Sequence, residues 1–315
     1  MTLPPSVFIL GAGAIGTAFA ATFRAAGWSV TLCDASTEAR ASATESVSRH
    51  SSGLHRAGHS TKSTPGQVTV VDAIPNESRF ALAIEAGPER REVKTALFHE
   101  MLTHLGTDTI LTTASSAIPM SEILPDASDQ ARCLVAHPGN PPSLIRVLEL
   151  VPAPGTLPDT VTKADTLFRA AGFDPVALNK EIPAFVFNRL QSALLREAYR
   201  LVKEGVIDVD GIDRLVRDGL GPRWALSGPF ETADLNTVGG VRGHAERMGP
   251  AYAAIGEARG ETDARWSPEL VSLVERQRRA ILPENGLPRR RAWRETALAE
   301  LLAARHRILS RDTSR

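Results

Sequence analysis

Cysteine is nearly missing from this sequence. The 315-residue chain has two, Cys33 and Cys133, each closing or opening a short apolar run that reads as a buried strand. Two thiols so far apart exclude a disulfide-stapled secreted scaffold and fit a reducing compartment. Excess charge is missing too: 36 basic side chains balance 36 acidic ones. A phosphate footprint needs clustered positive charge, so neither a nucleic acid nor an anionic membrane is an expected partner. No apolar run approaches the roughly 20 residues of a membrane span. The opening Met1-Thr-Leu-Pro-Pro-Ser lacks a basic stretch, and the apolar run Val7–Leu10 is too short for a signal peptide. The expected setting is the cytoplasm. Metal-ligand spacing is absent as well: His50, His55 and His59 have no cysteine near them and read as surface residues. Asp208-Val-Asp210-Gly211 lacks a full calcium ligand set and reads better as a helix N-cap. No metal is expected.

What is there begins with a turn. Val7-Phe-Ile-Leu10 is an apolar strand, followed at once by Gly11-Ala-Gly13-Ala14-Ile15-Gly16, an alanine-rich helix to Ala26, and a second strand, Ser29–Cys33, closed by Asp34. A GxGxxG in this strand–turn–helix–strand context is a dinucleotide fingerprint. Gly11 makes the tight turn, Gly13 lets backbone approach a pyrophosphate, and Gly16 lets helix and strand pack closely. The helix start, with Ala14 and Ile15, offers free N–H groups and a positive dipole end to the phosphates. Asp34 can accept both hydrogen bonds of a ribose diol and would repel a 2′-phosphate. The expected cofactor is NAD.

Apolar runs then alternate with helical stretches. Ala35–Gln67 is polar and reads as a helix and loop outside the core. Val68–Val71 and Phe80–Ile84 read as strands, Arg90–Leu105 as a helix, and Thr109–Thr113 as a strand ending at Ser115-Ser116. Glu89 and Lys94 stand at the helix start, where an acidic residue commonly complements the dipole. Either serine can place a hydroxyl at the carboxyl end of a strand, where open α/β sheets bind ligands.

Leu134-Val-Ala-His137-Pro-Gly139-Asn140 is a buried strand that ends at a histidine, and the next apolar run carries Glu149. A histidine there, with a carboxylate returning on the next strand, is the geometry of a general base and its orienting acid. A lone pair of this kind is also read as a loop cap beside a solvated charge; the surrounding motifs favour the catalytic reading. After Lys180-Glu-Ile-Pro183 the pattern turns helical. The chain therefore reads as a Rossmann-type doubly wound α/β domain, 1–183, and an all-α domain, 184–315, for substrate and dimerisation. Asn188 sits among Phe185, Phe187 and Leu190, so its amide needs a partner, from a ligand or from the chain. Helices are expected over about 212–219, 230–256, 268–281 and 290–307. Arg289-Arg-Arg291 reads as a solvated helix start. Apolar surface in the helical domain points to a homodimer.

These motifs in order (GAGAIG, HPGNPP with LELVP, AFVFNRLQ with REAYRLVKEG, GLGPRWALSGPFE, RRRAWRE) resemble the 3-hydroxyacyl-CoA dehydrogenase superfamily, closest to its lambda-crystallin / L-gulonate 3-dehydrogenase branch. The resemblance implies a base at His137, an orienting glutamate at Glu149, and contacts to the reacting oxygen from Ser116 and Asn188. The choice of Ser116 over Ser115 follows spacing alone. Asn140, Glu89 and Lys94 then fall at positions that touch the cofactor. Arg223 resembles the gulonate branch and would bind a substrate carboxylate as a bidentate pair, or tie down its own loop. Gly139 stands where relatives carry a larger apolar residue, so a looser loop is expected. The implied activity is NAD-dependent oxidation of a small 3-hydroxy acid, L-gulonate first. An acyl-CoA thioester, another hydroxy acid such as carnitine, and a crystallin-like NAD-binding structural protein are the alternatives.

Overall fold

The structure is a computed structural model describing residues 5–59, 62–76, 79–262, 265 and 267–311. The opening residues 1–4, and positions 60 and 61 of the polar 35–67 stretch, lie outside the described residues. The chain divides into two units, Met1–Arg196 and Glu197–Arg315.

The first unit is a three-layer α/β fold. Its elements run β1 (Ser6–Leu10), α1 (Ala14–Ala25), β2 (Ser29–Cys33), α2 (Thr37–Arg56), β3 (Val68–Val71), β4 (Leu82–Glu85), α3 (Arg91–His104) and β5 (Ile110–Thr113). Then come α4 (Met120–Ile123), β6 (Cys133–Pro138), β7 (Val147–Pro152), α5 (Pro158–Ala170) and β8 (Asp174–Ala177). One eight-stranded sheet is ordered β3-β2-β1-β4-β5-β6-β7-β8. Every pairing is parallel except β6 with β7. The inner strands are short apolar runs because helices cover both faces. Alternation splits β1 between the layers: Val7 and Ile9 join Phe19, Phe23 and Phe168, while Phe8 and Leu10 join Phe98, Met101, Met120 and Phe185. The order reverses beside β1, so the Gly11 turn lies at the topological switch point where such sheets bind ligands.

The polar 35–67 stretch departs from expectation. Its helix, α2, is packed into the core rather than standing outside it: Ala43, Val47 and Leu54 are buried with the α1 side of the sheet. One narrow apolar stripe is enough to seat a helix whose composition is polar.

Helix α6 (Phe185–Lys203) runs from the first unit into the second. The second unit continues with α7 (Val209–Arg214), a π-helical stretch over Leu215–Leu220, α8 (Gly221–Trp224), α9 (Pro229–Asn236), α10 (Gly240–Ala258), α11 (Pro268–Ile281) and α12 (Leu287–Leu309). Asp208 caps α7 by accepting from the Gly211 amide at 2.7 Å, the N-cap expected from sequence. The expected 230–256 helix is broken between α9 and α10, where Gly239 and Gly240 take φ of +84° and +63°. Among the described residues, no helix is long and apolar enough to cross a membrane.

The arginine patch also differs from expectation. Arg290 Nε donates to Glu231 Oε1 at 2.8 Å, and Arg291 Nε to the Leu235 carbonyl at 2.8 Å. Arg279 and Arg278 flank the fully buried Asp234. Arg290 and Arg291 are thus half-buried braces between α12 and α9, not a solvated helix start. The GPFE and RRRAWRE motifs, 59 residues apart at Glu231 and Arg290, meet in this brace.

Candidate active site

The glycine turn is shaped by contact, position by position. Gly11 has φ +108°, and a Cβ there would stand 2.6 Å from the Ala86 carbonyl oxygen. A Cβ at Gly16 would stand 1.8 Å from the Gly11 oxygen. A Cβ at Gly13 would meet nothing within 4 Å, so the space over that residue is open for a ligand. Ala14 and Ile15 begin α1, whose N-terminus has no side-chain cap. Its first N–H groups are therefore free for an anion. Asp34 lies beside them: Oδ2 accepts from the Ala12 amide at 2.7 Å and Oδ1 from the Ser36 amide at 2.8 Å. Open space, free donors and a fixed carboxylate fit the pyrophosphate and adenosine ribose of NAD.

His137 and Glu149 are direct cross-strand partners in the antiparallel β6–β7 pair. Glu149 Oε2 lies 2.8 Å from His137 Nδ1. Its other oxygen accepts from the Val186 and Phe187 amides at 2.8 and 3.0 Å, in the first turn of α6. Both side chains are over nine-tenths buried. Burial pushes the Glu149 carboxyl up, but the hydrogen bonds from His137 and the two amides outweigh it and hold the group below the ordinary carboxylate range. The imidazole packs against the rings of Phe185 and Phe187, with centroids 5.5 and 6.1 Å away. With Nδ1 taken as a donor, Nε2 is the acceptor of the neutral ring.

The same first turn carries Asn188, half-buried, whose Nδ2 donates to the Ser116 carbonyl at 2.7 Å. The amide expected to need a partner finds one in the backbone, and one N–H and the carbonyl oxygen remain. The two serines differ in their partners. Ser115 is buried, donates to Glu89 Oε1 at 2.7 Å and accepts from the Ile118 amide at 2.9 Å. The Ser116 side chain is exposed and makes no hydrogen bond among the described residues. Ser116, Asn188, His137 and Glu149 thus all gather about the start of α6.

A second carboxylate centre organises the loops beyond β4 and β5, and sequence reasoning passed over its core, Glu85. Glu85 is fully buried and pairs with Lys94 Nζ at 2.9 Å. It also accepts from Thr113 Oγ1 at 2.6 Å and the Gly87 amide at 2.7 Å. Lys94 is 1% exposed and reaches Glu89 Oε2 at 3.4 Å. Glu89 Oε1 gathers Ser115 Oγ and the Ser116 and Ala117 amides. Burial raises the Glu89 pKa, but the Ser115 hydroxyl, Lys94 and those amides prevail and lower it overall. The Lys94 ammonium is committed to two carboxylates of its own chain; Glu89 is the more open of the pair. The signal for Glu85 in the sequence is an acid closing an apolar strand nine residues before a lysine.

Asn140 is exposed at the start of the β6–β7 loop. Gly139 does not loosen that loop: a Cβ there would stand 2.3 Å from Ile145 Cγ2, so the isoleucine fills the space. Arg223 belongs to the second unit, in α8, and lines a cavity of about 550 Å³ with Trp224, Phe230 and Tyr252. Its loop is tied by backbone bonds, Ala225 to Gly221 and Ser227 to Arg223. The guanidinium makes no hydrogen bond among the described residues. Burial pushes the Cys33 thiol up to about 11 and Cys133 to about 12, so neither is a nucleophile.

Comparison with known proteins places the chain among dehydrogenases. The profile described as the 3-hydroxyacyl-CoA dehydrogenase NAD-binding domain matches residues 6–182, and that of the C-terminal domain matches 185–280. The chain is 32% identical over 311 residues to the lambda-crystallin homolog of Rattus norvegicus, covering 96% of this chain and 97% of that one. It is 33% identical over 246 residues to L-carnitine dehydrogenase of Burkholderia mallei, covering 77% and 76%. Among solved structures, 5-formyl-3-hydroxy-2-methylpyridine 4-carboxylic acid 5-dehydrogenase, described as an NAD+-dependent dismutase, superposes with TM-score 0.71 and 26% identity. That match covers 98% of this chain and 100% of the other.

Lys94→Met would leave Glu85 and its charge buried without a cation. The expected cost is about 3–5 kcal/mol in urea unfolding, the usual result of removing one partner of a buried pair. A change within about 0.5 kcal/mol, the scale of a surface substitution, would contradict the buried pairing.

Proposed function

The chain belongs to the 3-hydroxyacyl-CoA dehydrogenase family, and from that premise we propose that it oxidises the 3-hydroxyl of a small hydroxy acid, L-gulonate to 3-dehydro-L-gulonate. The observation that carries the reading is His137 held at Nδ1 by a buried carboxylate. That leaves Nε2 to take a proton.

Oxidation at C3 removes a hydroxyl proton and a hydride. NAD, when bound, accepts the hydride. His137 Nε2 accepts the proton, and Glu149 fixes the tautomer and stabilises the imidazolium that forms. The Ser116 hydroxyl and the remaining N–H of Asn188 hold the oxygen as it becomes a carbonyl. Gly11, Gly13, Ala14, Ile15, Gly16 and Asp34 hold the pyrophosphate and adenosine. Asn140 and Glu89 serve the nicotinamide end, and Lys94 acts through Glu89. Arg223, whose guanidinium has no hydrogen-bond partner among the described residues, binds the substrate carboxylate. Relatives named for carnitine and for a pyridine carboxylic acid support an acidic small substrate. Exposed apolar side chains of the second unit, including Tyr199 at 75% and Ile281 at 74%, support a homodimer. Two cysteines and no disulfide support a cytoplasmic setting.

The test is NADH formation with L-gulonate and with L-carnitine, beside NADH consumption with acetoacetyl-CoA. Activity on gulonate is expected. Activity on the thioester alone would move the function to acyl-CoA chemistry. No turnover on any of the three with NAD still bound would leave the fold standing and point to another 3-hydroxy acid. His137→Gln should lower kcat about 100-fold or more while NAD still binds; a nearly active variant would contradict the base. Arg223→Met should raise KM for the acid on the order of tenfold or more, the worth of a charge-assisted hydrogen bond. An unchanged KM would remove the arginine from the substrate site.

A further inference from the structure

Helix α2 ends against the loop that follows the base. Ser143, in the β6–β7 loop, is 1% exposed, and its hydroxyl lies 3.1 Å from His50 Nδ1. His59 Nε2, just beyond the helix, lies 3.2 Å from the Leu144 carbonyl. The Leu144 side chain rests over Gly53, at 3.7 Å from where a Cβ would be. The far end of the loop is anchored by Arg146, which donates to the Ala171 and Gly172 carbonyls and to Thr22. Nearer Asn140 the ties within the loop are the Leu144 and Ile145 amides to the Pro141 carbonyl and the Gly139 amide to the Val147 carbonyl. Leu144 and Ile145 are 44% and 42% exposed. A buried hydroxyl left without a partner is costly, so the His50–Ser143 bond favours one position of the loop. Burial and the neighbouring Arg49 lower the His50 pKa, which keeps its ring neutral beside the hydroxyl.

The other end of α2 stands at the adenosine site. Asp34 Oδ1 accepts from the Ser36 amide, Ser36 caps the helix, and Arg40 donates to the Asp34 and Ala35 carbonyls at 2.9 and 2.8 Å. A 20-residue helix is about 30 Å long. It therefore links the ribose-binding carboxylate to the loop that starts at Asn140.

We propose that His50 and His59 are positioning residues: they clip the 139–146 loop to α2 and so hold Asn140 beside the base. The proposal rests on His137 as the base and adds α2 as a strut between the two ends of the dinucleotide site. Both histidines act through the loop and touch no reacting atom.

The experiment is a double-mutant cycle of His50→Ala and Ser143→Ala, with His59→Ala beside it and His50→Asn and His59→Gln as variants that keep a nitrogen near the lost one. Each alanine variant should lower kcat about tenfold, within the cost of a misplaced active-site group. The Kd for NAD should rise less than kcat falls, because only the nicotinamide end loses its contact at Asn140. The double variant should be no worse than either single one, because one contact is lost in all three. His50→Asn should recover most of the loss. Unchanged kcat, or additive losses in the cycle, would overturn the positioning role. Amide hydrogen exchange across 139–146 is read on the same proteins and needs no turnover. Faster exchange in His50→Ala and His59→Ala supports the clip, and unchanged exchange overturns it. If the wild type turned over no hydroxy acid, the base assignment would fail while the exchange result would still decide the clip.

Discussion

One carboxylate holds the site together. Glu149 receives an imidazole N–H on one oxygen and two backbone amides on the other. Those amides open α6, where Ala184 and Phe185 take φ of 60° and 52°. Left-handed backbone costs roughly 1–2 kcal/mol per non-glycine residue. Such conformations persist where the surroundings over-determine them. Here the surroundings are the buried Phe185 ring and the charge-assisted bonds from the α6 amides to Glu149. Holding the carboxylate ionised, orienting the imidazole and aiming the first turn of α6 are therefore one constraint. Asn188 lies on that turn and reaches back to the Ser116 carbonyl, so the reacting-oxygen contacts inherit the same anchor.

A second buried acid repeats the logic at the switch point. Glu85 closes β4, holds Lys94 and receives Thr113 from β5. Lys94 in turn faces Glu89, which gathers the Ser115 hydroxyl and the following amides. The loop that presents Ser116 is thereby fixed from behind. Each centre is a charge removed from water and matched by donors, the condition under which buried ions are tolerated.

The parts legible in the sequence are those whose chemistry is local. The glycine turn is marked by its neighbours in the chain, although Gly11 also answers to the distant Ala86 carbonyl. His137 and Glu149 are legible because strand ends and apolar runs are. The two α6 amides on Glu149 stand 37 and 38 residues away and carry no local mark. Glu85 escapes for the same reason: an acid after an apolar strand looks solvated until Lys94 folds back on it. The polar composition of α2 hides a stripe of Ala43, Val47 and Leu54, and hides the reach of His50 and His59 to the next loop. Arg290 and Arg291 look solvated because Glu231 and the Leu235 carbonyl stand more than fifty positions earlier.

The most direct measurement is 15N NMR of the His137 ring in the wild type and in Glu149→Gln, taken where the imidazole is neutral. If Glu149 sets the tautomer, the wild-type ring carries its proton on Nδ1 and shows Nε2 as a bare acceptor. That preference weakens in the variant. A wild-type ring protonated on Nε2, or one unchanged by the substitution, would contradict the account at its centre.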